Sequence, residues 1–273
     1  MAFQPYHTKT DRLAHYLYWG VGLGVLLFLI LPILVVIPLS FSSDSFLSYP
    51  MPGWSLRWYE EVLTSEQWTS ALKNSLLIGS AATLLATILG TLAAIGLNYA
   101  DFKGKNLMLS LMISPMVVPL VISALGLYFF FAEMGLNASF LGLVLAHAIL
   151  GAPFVLITVN ATLQGFDRNL MRAASSLGAN PWISFWKVVL PLILPGVISG
   201  GLFAFATSFD EVVVALFVAG PEQRTLPRQM FDGIRENITP AILAVSTLLT
   251  LFALALLSTL EWLRRRNERL QGR

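Results

Sequence analysis

The sequence has 273 residues, of which 56% are hydrophobic and 12% carry a charge. Soluble globular proteins contain roughly 45–50% apolar and about 25% charged residues, so this composition excludes an ordinary soluble domain and indicates that lipid is the solvent. Cysteine is absent, which excludes disulfides and cysteine-ligated metals, and the net charge of +2 gives no indication of a nucleic-acid partner.

Six segments are apolar and long enough to cross a bilayer as helices, which takes about 20 residues because the hydrocarbon is about 30 Å thick. They are Leu17–Leu39, Ser75–Tyr99, Leu107–Phe131, Leu141–Leu163, Leu192–Val218 and Ala241–Leu260. The first apolar run is too long for a secretory signal and no small-x-small cleavage site follows it, so we expect a retained helix. The sequence therefore predicts an all-α integral membrane protein with six transmembrane helices.

Lysine and arginine are unevenly distributed between the two sides of these spans. With the N-terminus inside, twelve fall on the cytoplasmic side and five on the outside. Short cytoplasmic loops retain positive charge, so we expect both termini to lie on the cytoplasmic side. The membrane is expected to be the inner membrane of a bacterium. The chain then divides into a cytoplasmic segment at residues 1–16, a transmembrane domain at 17–263 and a basic cytoplasmic tail at 264–273.

Several local features accompany the first three spans. The outer loop after the first span is rich in Trp and Tyr, which favour the headgroup region, and we expect an interfacial belt with a short helix at Ser55–Leu63. Gly79, Ala82 and Gly90 indicate that the second span packs closely against its neighbours. The third span contains proline, which a bundle tolerates when neighbouring helices satisfy the freed backbone groups.

Asp210 and Glu211, in the fifth predicted span, are the only acidic residues in any of the six. An acid at mid-span costs about 2.5–3.5 kcal/mol on insertion scales, so such residues usually face a cavity or a partner. One interpretation is a hydrogen-bonded pair between packed helices. The other is an anionic site for a cationic solute, and the position of the pair near the outer end of the span suits an outer vestibule.

Motifs of common enzymes are absent. No P-loop sequence, H-E-x-x-H or G-x-S-x-G occurs, and the three histidines are not clustered with acids at ligand spacing. His147, within the fourth span, is expected to form a hydrogen bond between helices. We expect a non-catalytic chain with no metal site and no cofactor of its own.

The cytoplasmic loop between the fourth and fifth spans contains signals for two short helices. Asp167 can cap a helix that runs to about Leu177, and Gly178 suits its C-terminal end. Asn180 and Pro181 begin a second helix with proline in its first turn.

One face of the first short helix is small and mildly apolar, which suits insertion into a groove on another protein. This face consists of Leu170, Ala173, Ala174 and Leu177. A generic amphipathic hairpin is the alternative interpretation.

This loop resembles the signature of the permeases of binding-protein-dependent ABC importers, which reads E-A-A, three residues, G, nine residues, I-x-L-P. The chain has Arg172-Ala173-Ala174, then Gly178, then Val188-Val189-Leu190-Pro191, with the same spacing throughout. Arg172 replaces the acid and Val188 replaces the isoleucine.

The resemblance implies a type I importer permease whose loop at residues 165–191 is a coupling helix that docks into a cytoplasmic ATPase. The residues implied in that contact are Arg172, Ala173, Ala174, Leu177 and Gly178. It also implies a second homologous permease, two ATPase subunits that bind ATP and Mg²⁺, and an extracytoplasmic solute-binding protein. The changed charge at Arg172 suggests that the ATPase partner has changed as well.

Further segments, across about residues 15–263, are similar to the spermidine/putrescine subclass of these permeases. They are Lys73-Asn74-Ser75, Ser208–Val214, Gly220-Pro221 and Thr225-Leu226-Pro227. This implies polyamine import along a path that includes Ser208, Phe209, Asp210 and Glu211. Another organic amine, an amino acid or an opine remains an alternative cargo, and an ATP-independent channel, a secondary carrier and a scaffold without transport are alternatives from other classes.

Overall fold

The computed structural model describes residues 9–167, 169–236 and 238–270, and this part of the chain is helical without a β-strand. The first eight residues of the predicted cytoplasmic segment and the last three of the basic tail lie outside it. The helices are α1 Lys9–Leu39, α2 Arg57–Thr64, α3 Glu66–Tyr99, α4 Lys105–Ile113, α5 Leu120–Glu133, α6 Phe140–Gln164, α7 Asn169–Ser176, α8 Pro181–Ser184, α9 Leu190–Phe209, α10 Val213–Val218, α11 Leu226–Glu236 and α12 Pro240–Leu270.

Five helical segments in the described part are long and apolar enough to cross a membrane, and α4 with α5 forms a bent sixth. Each of the six overlaps one of the predicted spans, so the prediction of six transmembrane segments is confirmed. The short helix predicted at Ser55–Leu63 is α2, which begins two residues later and ends one residue later.

The third span is not the single straight helix predicted over Leu107–Phe131. Its two halves, Lys105–Met116 and Leu120–Glu133, meet at an angle of 99°. Pro119 lies at the break, where it offers no backbone N–H and disfavours a helical conformation for the residue before it. The carbonyl of Ser114 accepts hydrogen bonds from the backbone N–H groups of both Val117 and Val118, which closes the first half.

The fifth span also departs from the prediction, which ran it continuously from Leu192 to Val218. The helical segment begins earlier, at Pro181, and ends at Phe209. The two acids therefore lie in a break between α9 and α10 and not within a helix. A break supplies backbone N–H groups that can satisfy a carboxylate, whereas the middle of a helix has none to spare.

The contacts divide the chain into two compact units, residues 1–63 with 233–251 and residues 64–232 with 252–273. In the first unit, the loop between α1 and α2 is held by side chains of α2. Trp58 is buried and donates from Nε1 to the Ser42 carbonyl at 2.9 Å, and the Tyr59 hydroxyl lies 2.7 Å from Ser40 Oγ. In the same loop, a hydrogen bond from the Ser48 hydroxyl lowers the pKa of Asp44.

The second unit is built on α3, α6 and α9, which pack through small residues. A Cβ added to Gly90 of α3 would lie 2.7 Å from Val155 Cβ of α6. One added to Gly200 of α9 would lie 2.7 Å from Val155 Cα and 2.4 Å from Thr158 Oγ1. The close packing predicted for the second span is confirmed.

Candidate functional site

A cavity of about 430 Å³ lies where the broken third span and the end of the fifth span meet. It is lined by Leu120, Ala206, Thr207, Asp210, Glu211, Val212 and Val213. Leu120 is the first residue of α5, directly after the bend, and the other lining residues flank the break between α9 and α10. Many transporters build solute sites from such discontinuous helices, because backbone breaks leave polar groups that face a cavity.

The two acids of this cavity are in different environments. Asp210 is exposed, and its carboxylate makes no hydrogen bond or ion pair within the described residues. Glu211 is 7% exposed, and its Oε1 accepts a hydrogen bond from the backbone N–H of Val214 at 2.8 Å. The carboxylate of Glu211 therefore caps the first turn of α10, whereas that of Asp210 is available to a solute.

The other two residues of the predicted path, Ser208 and Phe209, do not line the cavity. Ser208 is 6% exposed, and its hydroxyl lies 2.7 Å from Nδ1 of the buried His147 on α6. The ring of Phe209 stacks on Phe205 with centroids 5.5 Å apart and also contacts Phe252. Both side chains hold the last turn of α9 in the packed bundle, and the hydrogen bond predicted for His147 is confirmed.

The segment after α10, a loop followed by α11, contains a residue whose role the sequence did not reveal. Arg228, on α11, donates from Nη1 to the carbonyls of Ala215 at 3.1 Å and Ala219 at 2.5 Å. These carbonyls are at the C-terminal end of α10, where helices lack internal donors. Sequence reasoning placed Arg228 only among the charges predicted to lie outside. Arg228 lies at least ten positions after every residue of α10, so no local pattern connects them.

The loop is also fastened to the first turns of α3. Asn74 Nδ2 donates to the carbonyls of Glu222 at 2.8 Å and Arg224 at 3.0 Å, and the Ser75 hydroxyl accepts from the Leu226 N–H at 2.8 Å. The short motif Lys73-Asn74-Ser75, noted in the sequence for its family resemblance, thus has a structural function. Its amide and hydroxyl satisfy the backbone of a loop 148 residues later or more.

The hairpin of α7 and α8 forms as the sequence predicts. Asp167 Oδ1 accepts from the Asn169 N–H at 2.9 Å at the start of α7, and Gly178 has a φ of 80°, which favours glycine. Asn180 Oδ1 accepts from the Ile183 N–H at 2.8 Å and caps α8, whose first residue is Pro181. These caps fix the corner between the two short helices.

The predicted docking face of α7 is largely uncovered within the described residues. Leu177 is 88% exposed and Leu170 is 42% exposed. Arg172, Ala173 and Gly178 are exposed as well, and Ala174 is half-buried. Both leucines therefore leave apolar surface of this face uncovered within the described residues.

The helix after this hairpin contains one widened turn. Residues Phe185–Val189 form a π-helical turn in which the Leu190 N–H bonds the Phe185 carbonyl, five residues back. Pro191 follows and has no N–H to donate to the preceding turn, which accounts for the change of hydrogen-bond register. The segment of the signature that includes Val188 and Pro191 therefore connects α8 of the hairpin to α9, within the fifth helical segment.

Within the described residues, no group of three or more His, Asp or Glu side chains is placed to share a metal ion. The candidate site consists of the cavity at Asp210, the clamped helix α10 beside it, and the exposed face of α7 on the hairpin of α7 and α8.

Comparisons with known proteins identify the family of the chain. Residues 86–271 match the family described as binding-protein-dependent transport system inner membrane component. The chain is 34% identical over 240 residues to the spermidine/putrescine transport system permease protein PotC of Haemophilus influenzae, covering 88% of this chain and 93% of that protein. It is 36% identical over 242 residues to the putrescine transport system permease protein PotI of Escherichia coli K12, covering 86% and 85%.

The fold is also found in a solved structure. A chain of a bacterial ABC transporter that imports the acidic polysaccharide alginate superposes with a TM-score of 0.75 at 16% identity, covering 94% of this chain and 99% of that one. At this level of identity the similarity extends to the fold and not to the solute.

Proposed function

We propose that this chain, which belongs to the family of binding-protein-dependent transport system inner membrane components, imports polyamines such as putrescine or spermidine. It is a multi-pass permease subunit of an ABC importer, with the type I fold, and it is not itself an enzyme. The proposal for the cargo is supported by one observation above all. The Asp210 carboxylate faces a cavity between two broken spans without any partner in the described chain.

The chemistry of this site suits an organic cation. Polyamines carry two or more positive charges at neutral pH, and a cation that leaves water needs compensating anions or dipoles. Asp210 supplies one anion at the cavity surface, while Ala206, Val212 and Val213 supply apolar wall that can contact the methylene chain. The relatives from Haemophilus influenzae and Escherichia coli are described as polyamine permeases, which favours the same cargo here.

Transport requires partners that supply the remaining parts. A second homologous permease completes the translocation path, and two cytoplasmic ATPase subunits bind ATP and Mg²⁺. A solute-binding protein delivers the polyamine to the outer side, and both termini of this chain lie in the cytoplasm. In this arrangement the exposed face of α7 inserts into the ATPase, so that closure of the ATPase dimer moves the hairpin and the fifth span joined to it.

A different organic amine, an amino acid or an opine is the main alternative cargo, since each carries a cationic nitrogen group that one carboxylate attracts. An ATP-independent channel, a secondary carrier and a scaffold are set aside because the chain belongs to an ATP-driven importer family. The cargo alternatives differ in charge spacing, which competition experiments can distinguish.

The test is uptake of labelled putrescine by the complete transporter in proteoliposomes, with ATP supplied to the ATPase side. We expect uptake that stops when ATP hydrolysis is blocked and that an excess of unlabelled spermidine suppresses. An excess of arginine, a cationic amino acid, should leave it unchanged. Uptake without ATP, or competition by arginine in place of spermidine, would contradict the proposal.

A further inference from the structure

Charged side chains hold both ends of α10, the helix that follows the break at the cavity. At its start, Glu211 accepts a hydrogen bond from the Val214 N–H at 2.8 Å. At its end, Arg228 donates to the carbonyls of Ala215 and Ala219 and lies 3.4 Å from that of Gly220. The anion is at the positive end of the helix and the cation is at the negative end, as the peptide dipoles favour.

Such a clamp is needed because α10 has only six residues. Isolated helices of that length are not stable, since nucleation fixes several residues for each hydrogen bond gained. Its outer carbonyls lie at a helix end that has no internal donors, and the guanidinium supplies them. The position of α10 therefore depends on a side chain that belongs to another helix.

Arg228 is itself held in place by its neighbours. Asp232, one turn later on α11, has its Oδ2 3.9 Å from Arg228 Nε and 3.5 Å from Arg224 Nε. The carbonyl of Arg224 is bonded by Asn74 of α3. A continuous set of contacts thus runs from the long helix α3, through the loop and Arg228, to α10.

The first residue of α10 and the two residues before it form part of the cavity wall. Glu211, Val212 and Val213 line the cavity beside Asp210. Any shift of α10 changes the position of this wall, and loss of the cap at its start would release a second carboxylate beside Asp210. The hydrogen bond from the Val214 N–H keeps the Glu211 carboxylate occupied. The cavity therefore presents one available acid, Asp210.

We propose that Arg228 is a positioning residue of the cation path: by clamping the end of α10, it fixes the wall from Glu211 to Val213 and leaves Asp210 as the acid that meets the solute. The transport part of this proposal rests on the proposed function. The structural part does not, because it concerns only the position of α10.

The structural part is tested by thiol labelling, which is clean because the chain has no native cysteine. A Val213→Cys substitution places a thiol on the cavity wall, and its labelling rate by a small maleimide is measured in the purified complete transporter. We expect Arg228→Ala to change this rate at least threefold and Arg228→Lys to change it less. The control Arg235→Ala, which removes an exposed arginine from the same helix α11, should leave it unchanged.

The transport part is tested by combining Arg228→Ala with Asp210→Asn and measuring uptake per assembled transporter. If Arg228 acts through the cavity, Arg228→Ala lowers uptake at least fivefold when Asp210 is present and less than twofold when it is already replaced. A residue that only stabilises the fold would give the same factor in both backgrounds. Equal factors, or an unchanged labelling rate of Val213→Cys, overturn the proposal.

A second variant covers the case in which Arg228→Ala prevents assembly. Asp232→Asn removes the carboxylate that holds Arg228 but leaves the guanidinium, and we expect it to change the labelling rate in the same direction by a smaller factor. Unchanged labelling in Asp232→Asn would then overturn the proposal. A cargo other than a polyamine would abolish putrescine uptake by the unmodified transporter yet leave the labelling difference, so the two proposals fail separately.

Discussion

At the scale of single residues, two acids that are adjacent in sequence have different hydrogen-bonding environments at the cavity. Glu211 is a helix cap with a backbone partner, and Asp210 has none within the described residues. A carboxylate that already accepts from a backbone N–H gains less from a passing cation than one that has no partner. Both acids were predicted to belong to the solute path, and the structure places them in different environments.

The cap at Glu211 leads to a prediction about isosteric replacement. Glu211→Gln keeps an oxygen that accepts from the Val214 N–H, so we expect normal assembly and a smaller loss of uptake than for Asp210→Asn. Glu211→Leu removes the acceptor and should destabilise the permease by about 1–2 kcal/mol, the cost of losing a cap. Thermal unfolding of the purified transporter measures the difference in stability. Equal melting temperatures for Glu211→Gln and Glu211→Leu would contradict the role of Glu211 as a helix cap.

At the scale of helices, the bundle of α3, α6 and α9 depends on close approach at glycine. A side chain at Gly200 would meet the backbone of Val155 and the hydroxyl of Thr158, neither of which can move without separating α6 from α9. Overpacking of this kind typically costs about 1–3 kcal/mol, and more when backbone must shift.

We therefore expect Gly200→Val to reduce the amount of assembled transporter severalfold. Gly126→Val is the matched control, because a Cβ at Gly126 of α5 would meet nothing within 4 Å. The amount of complex recovered by affinity purification of the ATPase measures the effect. Similar recovery of both variants would show that the close contact at Gly200 does not limit packing.

The hairpin of α7 and α8 gives a second prediction at this scale. A charged residue on the face that includes Ala174 and Leu177 should prevent docking, so Leu177→Glu and Ala174→Glu are expected to uncouple ATP hydrolysis from transport while the permease remains inserted. Ser175→Glu, on the opposite face of α7, is the control and should transport normally. Parallel measurements of uptake and phosphate release decide, and normal transport by both face variants would exclude docking through this surface.

The sequence predicted the helical elements well where a local signal determines them. The six spans follow from hydropathy alone, and the ends of α7 and α8 follow from Asp167, Gly178 and Asn180, whose side chains or backbone act on neighbouring residues. The end of the fifth span at Phe209 was missed because the apolar run continues past the acids to Val218.

Features determined by distant contacts could not be read from the sequence. The bend at Pro119 was missed because membrane helices also tolerate proline without breaking. The contact of Arg228 with α10 depends on how the intervening loop folds back, and the contact of Asn74 with that loop joins residues far apart in the chain. No periodicity or motif spacing encodes such pairs.

At the scale of the whole molecule, the distribution of Lys and Arg predicts that both termini are cytoplasmic. In cells, a membrane-impermeant maleimide should label a Glu222→Cys variant in the loop after the fifth span and should not label Ser175→Cys in the hairpin or Arg273→Cys at the C-terminus. Disruption of the membrane should make both of the latter reactive. Labelling of Arg273→Cys or Ser175→Cys in intact cells would reverse the topology.

For the transporter as a whole, we expect a cationic solute to pass Asp210. Loss of that charge should impair transport without impairing assembly, because the carboxylate makes no hydrogen bond or ion pair within the described residues. Asp101→Asn is the matched control, since Asp101 is an exposed acid just after α3 and, within the described residues, pairs only with Lys105 at 3.7 Å.

The most direct test is putrescine uptake by Asp210→Asn, divided by the amount of assembled transporter. We expect a loss of about tenfold or more, equivalent to about 1.4 kcal/mol of lost interaction, with partial recovery in Asp210→Glu and no loss in Asp101→Asn. An unchanged rate per assembled transporter in Asp210→Asn would contradict the passage of a cation at this site.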